Sequence, residues 1–155
     1  MTSPDYSRLL LLAVLAASGC ATQRPVTLCA HLAGGADSPI DALDPVHQGD
    51  AVLRLDRTAI AFSIVAPGLE TVTATHIHHG PAGTAGPMLW EINTGYKGDS
   101  LRGTASEIPP GVITLIAREP GEYYVKLHTL KFPGGAIRGQ LGPCPFPAPV
   151  RGAGP

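Results

Sequence analysis

Charge is scarce in this chain of 155 residues: 11 Lys and Arg against 12 Asp and Glu leave a formal net charge of −1. No cluster of five or more basic residues occurs, so nucleic acid is excluded as a partner on electrostatic grounds. No apolar run is long enough to cross a bilayer as a helix; LLLLAVLAASG, after Arg8, has the length of a signal-peptide core instead. No Ser-His-Asp order, paired-carboxylate motif or phosphate-cradling glycine loop stands out, which leaves common hydrolase and nucleotide-binding chemistries without a motif. Cysteine is limited to three positions, Cys20, Cys29 and Cys144.

What the chain has in plenty is 19 glycines and 16 prolines. That composition disfavours long helices and favours short strands joined by turns. The length suits one domain. Alternation begins at Ala51: Ala51, Leu53 and Leu55 share a face, and Ile60, Phe62 and Ile64 repeat the pattern. ETVTATHIH at 70–78 is rich in β-branched residues, Met88, Trp90 and Ile92 alternate, and LRGTASEI at 101–108 reads as a short edge strand. VITLIARE at 112–119 fits a short helix or a strand equally well. Strands follow at 122–129 and in AIRGQL, with turns at APG, GYKGDS and FPGG. Strands of five to eight residues spaced by about ten, with turn signals between them, predict an all-β antiparallel sandwich or barrel of about 7–8 strands. Residues 20–45 read as a tether and irregular lead-in, and residues 143–155 as a proline-rich, disordered tail.

The N-terminus is a targeting segment. Small residues Ala17, Ser18 and Gly19 lead into Cys20, and LAASGC resembles a bacterial lipobox. That resemblance implies a signal peptide over residues 1–19, lipidation of Cys20, and a membrane-anchored protein of the bacterial cell envelope, facing the periplasm or the surface. Outside the cytoplasm, Cys29 and Cys144, which bracket most of the remaining chain, are candidates for a disulfide. Two unpaired thiols are the alternative.

Within THIHHGPAG, at 75–83, three histidines fall in four positions. Period-two alternation puts His76 and His78 on one strand face with Ile77 on the other. On the strand at 122–129, Val125 and Leu127 share a face, opposite Tyr124, Lys126 and His128; in AIRGQL, Arg138 and Gln140 oppose Ile137 and Leu141. If the apolar faces form the core, His76, His78, His128 and Arg138 lie together on the outer side. A His-x-His strand pair with a third histidine from a neighbouring strand supplies three nitrogen ligands, a set that suits copper or zinc. The alternative is that these side chains satisfy loop backbone groups beneath the GPAG turn. Arg138 and Tyr124 are candidate contacts for an anion or partner next to the histidines; for Arg138 the plainer reading is a salt bridge or backbone hydrogen bond. His79 is a poorer ligand candidate, and His31 and His47 are expected to face solvent.

HIHHGPAGTAGPM at 76–88 and YYVKLHTLKFPGGAIRGQL at 123–141, with GDSLRGTA at 98–105 between them, resemble the signature of the CHRD (chordin-type) domain over about residues 46–142. His79 is an insertion in the family's HIHGPA-type block, and Ala136 stands where an acidic residue is usual. The resemblance implies an antiparallel β-sandwich in an exported, non-catalytic module that binds an unidentified protein or small ligand. A looser similarity to copper-zinc superoxide dismutase lies in the order of HIH, a Gly-rich loop, VKLH, GG, an arginine and a cysteine. It implies a Greek-key arrangement with His76, His78 and His128 as copper ligands and Arg138 beside them. No histidine lies between His79 and His128, so the bridging and zinc-loop positions have no counterpart, and a dismutase-like redox enzyme is the least supported reading.

Overall fold

The computed structural model describes residues 24–35, 43–69, 71–93, 95 and 98–145. The expected signal peptide and Cys20 lie outside them. Among the described residues nine strands form two antiparallel sheets: β1 (Val26–Leu32), β2 (Gly49–Leu55), β3 (Ile60–Val65), β4 (Val72–His79), β5 (Met88–Asn93), β6 (Ser100–Ala105), β7 (Tyr123–Thr129), β8 (Ile137–Gln140) and β9 (Gly142–Pro143). The first sheet runs β6-β3-β2-β1-β9 and the second β5-β4-β7-β8. The fold is the β-sandwich that the strand pattern predicts; the sheets do not close into a barrel.

Alternation explains how each sheet acquires an inner face. In β1 to β3, Leu28, Ala30, Leu32, Ala51, Leu53, Leu55, Ile60, Phe62 and Ile64 are buried, with the intervening residues turned away. From the second sheet Ile77, Val125, Leu127 and Ile137 meet them, all fully buried. Antiparallel pairing fixes this register, because a slip of one residue would turn every core side chain to the opposite face.

Two expectations are corrected and one open reading is resolved. Residues 26–32 are not part of a tether: VTLCAHL is a seven-residue strand held between β2 and β9. Its own alternation places Leu28, Ala30 and Leu32 in the core. The ambiguous stretch at 112–119 belongs to a helix, α1 (Pro110–Arg118). Proline at its start has no amide hydrogen to waste, and Ile113 and Ile116 turn one face onto the core while Leu115 is exposed. The chain beyond 142 is not all tail, since Pro143 pairs with Leu28; the expected disulfide between Cys29 and Cys144 is present, at a Cα separation of 4.8 Å. Residues 146–155 are outside the described residues.

One seam joins the sheets. Past its end β1 bridges to β8, with Ala33 and Arg138 exchanging two backbone hydrogen bonds of 2.8 Å. The backbones approach so closely there that a Cβ on Gly139 would lie 2.1 Å from the His31 carbonyl oxygen. This is a packing reason for glycine within IRGQ.

Candidate metal centre

The site is built on the outer face of the second sheet. Register places His76 opposite Lys126, His78 opposite Tyr124, and Ala74 opposite His128. Ala74 is small, so the His128 ring has room to lean across toward His76. The rings of His76 and His128 are 4.7 Å apart, those of His76 and His78 5.8 Å, and those of His78 and His128 6.2 Å. One ring nitrogen from each of the three lies within 4.8 Å of the others. The convergence expected from strand pleating is therefore present.

The hydrogen bonds decide which nitrogen each ring presents. His78 Nδ1 lies 2.9 Å from the Gly86 carbonyl, and His128 Nδ1 lies 2.9 Å from the Pro133 carbonyl. A carbonyl only accepts, so each Nδ1 carries the hydrogen and each Nε2, in the neutral ring, is an acceptor. His76 is turned the other way: its Nε2 donates to the Glu91 carboxylate at 3.2 Å, and its Nδ1 lies 3.1 Å from His128 Nε2. The two nitrogens lie at hydrogen-bond distance; with the His76 hydrogen on Nε2 alone, two lone pairs would meet across that gap, and a cation between them would convert repulsion into attraction. A separation of 3.1 Å is also what two metal–nitrogen bonds of about 2.0–2.1 Å enclose at an angle of roughly 100°. Such bonds span at most about 4.2 Å, so the widest pair, which involves His78, must draw in by half an ångström or more on binding.

His78 Nε2 supplies a second observation. It is buried, and among the described residues it has no hydrogen-bond partner. An orphaned buried nitrogen costs about 1–3 kcal/mol, which natural structures tolerate where an ion or a function compensates. Burial pushes the His78 imidazole below the usual histidine range. The Gly86 carbonyl opposes this, and Lys126, His76 and His128 add to the lowering. The ring is therefore held neutral, the form in which a metal binds it.

The loop between β4 and β5 roofs this face. Arg138 Nη1 donates to the Thr84 carbonyl at 2.8 Å, the guanidinium lies 3.3 Å over the Tyr124 ring, and Tyr124 stacks on His78 at 5.0 Å. Since β7 runs between β4 and β8, the tyrosine ring is sandwiched between imidazole and guanidinium. The Tyr124 hydroxyl accepts from the Gly86 amide at 3.0 Å, and Gln140 Nε2 donates to the Gly80 carbonyl at 2.9 Å. Tyr124 is fully buried and Arg138 is 5% exposed. The expectation that these two offer an open contact to an anion or partner is thus corrected: they hold the loop over the histidines, and for Arg138 the plainer backbone-bond reading is the right one.

His79 turns away beside Tyr123 and lines a shallow depression with Glu119, Gly121 and Glu122. His31 is exposed and pairs with Asp50. His47 is half-buried rather than free in solvent, 2.8 Å from the Asp44 carboxylate. Sequence reasoning overlooked Glu91 and Gln140. The alternation of Gln140 with Ile137 and Leu141 marks its face, but nothing in the local pattern shows what it meets.

A model of the CHRD domain family matches residues 28–141. The chain belongs to the CHRD domain family. Comparison with curated proteins and with solved structures gave no match, so the likeness to superoxide dismutase gains no support from them. The CHRD match starts at Leu28, inside β1, which agrees with the core role of that strand and extends the domain well before residue 46. The two CHRD signature blocks meet here. The first supplies His76, His78 and the roof; the second supplies His128, the Pro133 carbonyl that orients it, and the Arg138 and Gln140 that hold the roof.

Proposed function

We propose that this protein is an exported CHRD module, attached to the cell envelope through a lipid on Cys20, which binds a copper ion, or alternatively zinc, through His76, His78 and His128. The observation that carries the metal reading is the set of three imidazoles whose distal nitrogens are all held by acceptors while the remaining nitrogens converge. Metal-ligating histidines characteristically donate their other ring hydrogen to a carbonyl or carboxylate in this way. An all-nitrogen set of three favours copper over zinc by intrinsic affinity. Bound copper would supply redox and Lewis-acid chemistry; this chain's own residues orient the rings, keep His78 neutral and cover it with the 80–87 loop. Lipid attachment and export are supported by LAASGC and by the Cys29–Cys144 disulfide, which is at home in an oxidising compartment.

A second reading, a metal-free module whose polar face serves the loop, draws on the bonds from His78, Arg138 and Gln140 to loop carbonyls. Elemental analysis of protein purified without chelator separates the two. The metal reading expects one ion per chain, lost in His78→Ala and in His128→Ala. Unchanged metal content in the triple alanine variant refutes it. The metal-free reading expects no ion, with each substitution lowering stability by about 1–3 kcal/mol.

A further inference from the structure

The acid that orients His76 comes from the edge strand β5, and its placement depends on two irregularities. The pairing of β4 with β5 shifts register between Thr75 and His76, and again between Ile77 and His78. Such bulges re-aim side chains and are frequent beside functional sites. Here they bracket the short stretch in which His76 faces Glu91. As a result, Glu91 Oε2 lies 3.2 Å from His76 Nε2. The Glu91 side chain is 46% exposed, whereas that of His76 is 15% exposed, so the carboxylate has no burial of its own to explain the arrangement.

From this geometry we infer that Glu91 is the positioning residue of the metal centre. Its carboxylate holds the hydrogen of His76 on Nε2, obliging His76 to offer Nδ1 while His78 and His128 offer Nε2. The inference rests on the metal reading above. Without Glu91, His76 can carry its hydrogen on Nδ1 and donate it to His128 Nε2 across the 3.1 Å gap. One bond would then occupy two ligand nitrogens. Carboxylates in this relation to a ligating histidine typically contribute 10–100-fold to metal affinity.

The test uses Glu91→Ala and Glu91→Gln, with wild type as reference and Zn(II) as a diamagnetic probe. Long-range ¹H–¹⁵N correlation spectra of the metal-free proteins report each imidazole tautomer. Wild type is expected to show hydrogen on Nε2 of His76 and on Nδ1 of His78 and His128. Zn(II) affinity, measured by chelator competition, is expected to fall 10–100-fold in Glu91→Ala, with loss of the His76 tautomer preference. Glu91→Gln retains an acceptor without the charge and is expected to keep the tautomer and lose less affinity. Zn(II) uptake by wild type with equal affinity in both variants, or a His76 Nδ1–H tautomer in wild type, overturns the role of Glu91 alone. No uptake by wild type of Zn(II) or Cu(II) overturns the metal reading, and this inference with it.

Discussion

Gly86→Ala probes the link between one glycine and the candidate centre. A Cβ at Gly86 would lie 1.6 Å from the His79 carbonyl oxygen, against backbone that cannot rotate aside. The loop must therefore lift. Lifting it breaks the hydrogen bonds from the His79 amide to the Pro87 carbonyl, from the Gly86 amide to the Tyr124 hydroxyl, and from His78 Nδ1 to the Gly86 carbonyl. Three bonds at a net value of about 1 kcal/mol each put the loss near 3 kcal/mol. Gly83→Ala is the control on the same loop. Its φ is +75° with nothing within 4 Å, so it meets only the left-handed conformational penalty of about 1–2 kcal/mol. Urea unfolding of both variants, with metal affinity measured in parallel, is the assay. Gly86→Ala is expected to lose more stability than Gly83→Ala and, having released His78 Nδ1, to bind metal more weakly. A Gly86→Ala protein with the midpoint and metal affinity of wild type would refute the steric reasoning.

Replacing both Cys29 and Cys144 by serine opens a loop with a sequence separation of 115; the chain-entropy relation puts the loss at up to about 4.8 kcal/mol, readable as a fall in urea midpoint that reduction of wild type reproduces. Burial pushes the Asp44 carboxyl up, but hydrogen bonds from the Val46 amide, the His47 ring and the His47 amide, with the charge of His47, more than offset it and hold the pKa below its usual value. The unfolded chain therefore binds the proton more readily, so Asp44 stabilises the fold above its unfolded value of 3.8 and loses that contribution as pH falls through the folded value. Asp44→Asn is expected to be less stable than wild type at neutral pH, with the gap narrowing below pH about 4 in pH-dependent unfolding curves; a constant gap across the range would count against it.

Period-two alternation made much of this readable in advance, because a half-buried strand has to alternate. It placed Ile77, Val125 and Leu127 inside and His76, His78 and His128 outside, and both hold. It failed where the neighbouring sequence hid the pattern. VTLCAHL alternates well, but it is short and sits between Arg24-Pro25 and a glycine-rich stretch, so the core role of β1 was missed. In α1, Ile113 with Leu115 fits the period of a strand and Ile113 with Ile116 that of a helix, and only the packing of Ile113 and Ile116 decides between them. The outer face also carries the buried Tyr124 and Arg138. That burial comes from a loop folding back over the sheet, a long-range contact with no local signature. Glu91 was missed for a related reason: its pairing with His76 depends on bulges in β4–β5, and bulges are register events that composition does not record.

Cys29 sits at the centre of β1, and its sulfur is joined to the residue just after β9, the neighbouring strand. Both ends of the described domain thus leave from one stitched corner. A pull arriving through Arg24 could peel away only Val26, Thr27 and Leu28 before the load passed into a covalent bond. A domain fastened this way resists being unravelled strand by strand from its N-terminal side.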